Sequence, residues 1–132
     1  MLSLSSNQQE LVHDTLVQLH DAIVQLQEWN KDVPDMEILV HSELGMQRLA
    51  GNCMLIEAIG EGFKKVHKIA GEELFSLCPE IPWFAIMSMR NRIAHGYFDI
   101  DIEHINSVIQ NDLSPLLQAT DYLIGYLEKE YS

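Results

Sequence analysis

Arg90, Asn91, His95 and Tyr97 fall within eight residues of a chain whose formal net charge is −12. Together they carry the groups that metal-free cleavage of an RNA backbone requires. In that reaction the 2′-hydroxyl loses a proton as it attacks the adjacent phosphorus, and the departing 5′-oxygen gains one. An imidazole with an ordinary pKa of about 6.5 can do either job at neutral pH. A fixed guanidinium offers paired donors to the negative charge that gathers on the phosphorane-like transition state. Asn91 can orient the imidazole or bind a phosphate oxygen, and Tyr97 follows the histidine by two residues. One histidine does not readily act as base and acid in a single step. The set is therefore chemically sufficient only where a two-fold dimer joins two copies in one cleft. The same residues also fit a plain helix end, with Arg90 paired to an acid and His95 resting on the helix dipole.

Positioning these groups is the task of the surrounding elements. Five helical residues turn the chain through about 500°, so Arg90 and His95 would point roughly 140° apart within one regular helix. Closure of the helix near His95, which Gly96 favours, would free the imidazole to turn toward Arg90. Upstream, Pro82 suits the first position of that helix, and Ile86, Met89 and Ile93 form its core edge.

Helical periodicity dominates the rest of the chain. Val12, Leu16, Leu19, Ile23 and Leu26 form one apolar stripe, with Ser6 and Gln9 as a candidate capping box. Pro34 and Asp35 open a second helix expected from about Met36 to Ala70 and stopped by Gly71. Its apolar side carries Leu39, Met46, Leu49, Cys53, Ile56, Gly60 and Phe63. Gly45, Gly51, Gly60 and Gly62 mark either a kink or a close helix approach. After "YFDID", Asp99 or Asp101 caps a last helical segment. Ile102, Ile105, Val108, Ile109, Leu113, Leu116, Leu123 and Leu127 give its stripe, with a break at Ser114-Pro115. The expected architecture is all-α: one domain over residues 1–132, an up-and-down bundle of four to five helices.

Composition narrows the function. At 47% apolar residues and four prolines, the chain is globular. No stretch approaches the roughly 20 apolar residues of a membrane span, and Met1 to Ser6 lacks a basic leader, so a cytoplasmic protein without a membrane partner is expected. Cys53 and Cys78 read as buried, reduced thiols rather than a disulfide or metal pair. The acidic balance excludes a broad electrostatic grip on nucleic acid, so no DNA partner is expected and any RNA must meet a small, locally positive site.

Other polar residues rank lower. Glu57 and Glu61 share one helix face, placed either to position Arg90 across the bundle or to face solvent and pair with Lys64 or Lys65. His13, His20, His41, His67 and His104 have no metal-ligand spacing, so neither metal nor cofactor is expected. Trp29 and Trp83, beside helix ends, read as core plugs.

The segment "IPWFAIMSMRNRIAHGYFDID" resembles the signature of the HepT-like toxins of the HEPN superfamily, whose motif is Arg-Asn, three more residues, then His-x-Tyr, written R-x4-H-x-Y. Arg90, Asn91, His95 and Tyr97 match it residue by residue, and "PEIPW", "NDLSPL" and "IGEGFKKV" agree around it. The resemblance runs from about Val12 to Leu127. It implies a HEPN-like bundle that dimerises around the motif-bearing helix end and acts as a metal-independent endoribonuclease. Arg90 and His95 would be catalytic, with Asn91 as orienter; Glu61 is an auxiliary candidate by its helix face alone, not by the resemblance. The resemblance also implies the toxin half of a toxin–antitoxin module whose other half, a minimal nucleotidyltransferase, silences it by moving AMP onto Tyr97. The alternative is a non-catalytic bundle of the same kind that binds nucleotide or docks a nucleotidyltransferase.

Overall fold

A computed structural model describes residues 2–90 and 99–131. Helix α1 (Ser6–Trp29) starts one residue earlier than expected, because Ser5 rather than Ser6 closes the capping box. Ser5 Oγ accepts from the Gln8 N–H at 3.1 Å, and Gln8 Oε1 accepts from the Ser5 N–H at 2.9 Å. The predicted stripe is buried, joined by Thr15, whose hydroxyl donates to the Leu11 carbonyl at 2.7 Å.

The helix expected over 36–70 is divided. Met36–His41 is a 3-10 segment capped by the Asp35 carboxylate, which accepts from the Glu37 N–H. Ser42 is extended, and its hydroxyl accepts from the Gly45 N–H at 2.9 Å to start α2 (Glu43–Ala70). The division follows from packing. The 3-10 segment folds back over the first turn of α2, so closely that a Cβ at position 45 would collide with the Leu39 carbonyl. Gly45, Gly60 and Gly62 of α2 thus mark close approaches, whereas a Cβ at position 51 would meet only ordinary contact. At position 62 a Cβ would lie 2.5 Å from Leu19 Cδ2 of α1, and at position 60 it would lie 3.0 Å from the Ile86 carbonyl oxygen. Gly71 ends α2 as expected, with a φ of 73° and its N–H on the His67 carbonyl at 2.8 Å.

Four short or late elements follow: α3 (Glu72–Phe75), α4 (Trp83–Met87), α5 (Ile102–Ser107) and α6 (Leu113–Glu130). The helix expected from Pro82 is interrupted: α4 ends at Met87, Ser88 makes a turn, and helical conformation resumes at 89–90. Its predicted end near His95 lies outside the described residues. Of the two candidate caps, Asp101 is the one used, accepting from the His104 N–H at 3.1 Å. The predicted break takes the form of a π-turn, Val108–Asp112, just before α6. Pro115 follows two residues into α6; it has no N–H for the carbonyl one turn back, and the π-turn just before it is where the regular ladder changes. Among the described residues every regular element is helical, an all-α, HEPN-like bundle.

Helix α1 lies antiparallel to both α2 and α6. Against α2, Asn30 and Asn52 form a buried reciprocal pair: each side-chain N–H group donates to the other's carbonyl, at 2.9 and 2.8 Å. Asn30 also donates to the Leu26 carbonyl at 2.8 Å. Against α6 the seam carries three polar rungs spaced seven residues apart on each helix. His13 meets Glu128 at 2.8 Å, His20 meets Asp121 at 3.2 Å, and the Gln27 amide donates to Ser114 Oγ at 3.3 Å.

The first rung makes stability depend on pH. The Glu128 hydrogen bond raises the His13 pKa above its ordinary 6.5, with a smaller contribution from Asp14. A pKa raised by folding stabilises fully below the unfolded value and is lost as pH rises through the folded one. The difference in melting temperature between wild type and His13→Gln should thus be largest near about pH 6 and shrink toward about pH 9. An unchanged difference across that range would mean that the rung does not titrate with folding.

Candidate functional site

The chain approaches the motif through an aromatic seat. Phe63, fully buried on α2, meets Trp83 at 5.4 Å between ring centroids, and Trp83 stacks on Phe75 at 4.4 Å. The Trp83 indole N–H donates to the Phe75 and Cys78 carbonyls at 3.0 and 2.9 Å. These contacts fix the start of α4, and the glycine at position 60 lets the far end settle on α2. A Cβ there would be 3.9 Å from Met89 Cβ and tight against the Ile86 carbonyl oxygen. Ile86 and Met89 are buried as expected.

Arg90 follows directly, exposed, and makes no hydrogen bond or ion pair among the described residues. The helix-end reading, in which an acid holds it, has no support there. Asn91, His95 and Tyr97 lie outside the described residues. The chain past residue 98 is anchored too. Asp101 caps α5, Asn106 Oδ1 accepts from the Met36 N–H at 3.0 Å, and the Gln110 amide donates to the Val33 carbonyl at 3.1 Å. The motif-bearing segment is therefore bracketed by two docked elements.

Glu61 is exposed on the α2 turn that meets the Met89 segment, and Glu57, one turn earlier, is half-buried. Neither pairs with Lys64 or Lys65 among the described residues. Cys53 and Cys78 are free and buried. Burial, with Glu57 nearby, pushes the Cys53 thiol up to about 11, and burial also raises Cys78, so both stay protonated at neutral pH. Among the described residues no cluster of His, Cys, Asp or Glu could hold a metal ion. No helix there is long and apolar enough to cross a membrane.

Two features escaped the sequence reading. Trp83 is a core plug, but Trp29 is 41% exposed. The signal was the stripe itself: Asn30, not Trp29, continues the buried face after Leu26. Phe84, beside the aromatic seat, is 81% exposed, because Trp83 and Ile86 on either side turn inward.

An all-α bundle that presents an exposed arginine at the head of an R-x4-H-x-Y segment defines a HEPN-type domain. The sequence model described as "Ribonuclease HepT-like" matches residues 19–123, and the chain belongs to that family. It is similar to a "Probable ribonuclease HepT" of Thermococcus cleftensis, at 24% identity over 78% of this chain and 86% of that protein. It is also similar to "Putative RNase MJ0127" of Methanocaldococcus jannaschii, at 27% identity over 57% of this chain and 59% of that protein. No solved structure matches.

Proposed function

We propose that the chain is a metal-independent endoribonuclease acting as the toxin of a toxin–antitoxin module. The observation that carries this reading is Arg90: exposed and unpaired among the described residues, directly after the Met89 segment that packs on α2, and first in the motif. Membership of a ribonuclease family supports it. In this reading the 2′-hydroxyl gives its proton to one His95 and the 5′-oxygen takes one from the His95 of a second protomer. The two Arg90 guanidinium groups stabilise the charge on phosphorus, and Asn91 orients the imidazole. The active unit is a homodimer with a composite site. Its antitoxin is a minimal nucleotidyltransferase that adds AMP to Tyr97, and the added phosphate charge repels an RNA backbone from the cleft.

The net charge of −12 favours a second reading, in which the same cluster binds nucleotide or docks a nucleotidyltransferase without cutting RNA. Induced expression in a bacterial host separates them. Wild type is expected to arrest growth and fragment RNA, while folded Arg90→Ala and His95→Ala variants are harmless. Equal behaviour of all three would sink the ribonuclease reading and leave the docking one.

A further inference from the structure

Two grooves meet at the end of the bundle where α1 finishes and α2 begins. One, of about 430 Å³, is lined by Trp29, Leu44, Gln47, Arg48 and Gly51. The other, of about 270 Å³, includes Val33, Ile38 and Leu39, and shares Leu44 and Arg48 with the first. Leu44 is thus a ridge between them. It is 78% exposed, Ile38 is 54% and Trp29 41%, a concentration of large apolar side chains unusual for a surface that meets only water. Gly51 lines the first groove beside the Trp29 ring, at a distance where a Cβ would make ordinary contact at 3.6 Å.

Charge decides what fits. Asp32 lines the second groove, and Glu28, Asp35, Glu37 and Glu43, each next to a groove-lining residue or within a few residues of one along the chain, are all exposed, which makes the rim acidic. The permanent cations of residues 28–48 are Lys31 and Arg48, and both are already engaged, with Glu28 at 2.5 Å and Asp32 at 3.0 Å. A second copy would set this acidic rim against itself, and a phosphate backbone would be repelled. We propose that the two-groove surface docks a segment of a partner protein that carries apolar side chains flanked by lysine or arginine. The apolar residues fill the grooves on either side of Leu44, and the basic flanks meet the rim. This holds whether or not the chain cleaves RNA.

The probe is a labelled helical peptide of about 18 residues, with leucines at three- and four-residue spacing and lysines on the flanks. Its binding is followed by fluorescence anisotropy, alongside peptides with serine for leucine or glutamate for lysine. Leu44→Ser and Ile38→Ser alter exposed positions, and circular dichroism verifies their folding. Leu11→Ser, at another exposed leucine on α1, is the control. Expected is saturable binding of the leucine–lysine peptide alone, weakened at least about tenfold by Leu44→Ser and by less than about twofold by Leu11→Ser. The proposal is overturned if that peptide does not bind, if the serine–lysine peptide binds equally well, or if the Leu11 and Leu44 variants lose affinity alike. It is also overturned if wild type dimerises in solution and Leu44→Ser dissolves the dimer, since the surface would then belong to a second copy.

Discussion

Arg90→Lys is expected to leave the melting temperature within about 2 °C of wild type and to lower RNA cleavage at least about a hundredfold. The first half follows from Arg90's exposure and its lack of partners among the described residues, since substitutions at such positions usually change stability by less than about 0.5 kcal/mol. The second follows from the shape of the charge. A lysine keeps the positive charge but loses the planar pair of donors that can bridge two phosphoryl oxygens. The assay is cleavage of a labelled RNA oligonucleotide by purified protein in the presence of a chelator. If lysine retains activity to within about threefold, a point charge suffices and the paired-donor account is wrong.

Phe63→Ala carries the largest expected cost in stability, about 3–5 kcal/mol. Its ring is fully buried and touches both Trp83 and Phe75, so truncation removes the floor of the aromatic seat as well as its own burial. Against a total of about 5–15 kcal/mol for a domain of this kind, the loss would leave the fold marginal. Urea unfolding of the pair measures it, and Phe63→Leu should recover at least half of the deficit. A loss below about 1 kcal/mol would mean that α4 is held in place by something other than this cluster.

The elements that carry apolar stripes were legible, because burial is a repeating demand that periodicity records. Val12 through Leu26 and Leu113 through Leu127 face the core as their spacing requires. Boundaries were less so. Ser5-Ser6-Asn7-Gln8-Gln9 spells the capping signal in two frames, and only geometry chooses between Ser5 and Ser6. The division before Glu43 goes with the close approach of Leu39 to Gly45, a packing fact no local pattern contains. Ser88 interrupts α4 without a proline or glycine to announce it. Of the candidate site, Arg90 is named by residue type and motif, and the structure adds only that it is exposed. Asn91, His95 and Tyr97 rest on the motif alone. Glu61 remains a neighbour by position, on the turn against which the Met89 segment packs.

The buried pair of Asn30 and Asn52 has a consequence for alignment. Leucine packs against leucine almost as well after a helix slides by one turn, so an apolar α1–α2 interface would tolerate several offsets. With the amides present, any slide separates them and leaves buried donors and acceptors unmet, at about 1–3 kcal/mol for each. The pair therefore selects one offset of α2 along α1. Because Gly60 and Phe63 ride on α2, that same choice sets where α4 and the Met89 segment that leads into Arg90 come to rest.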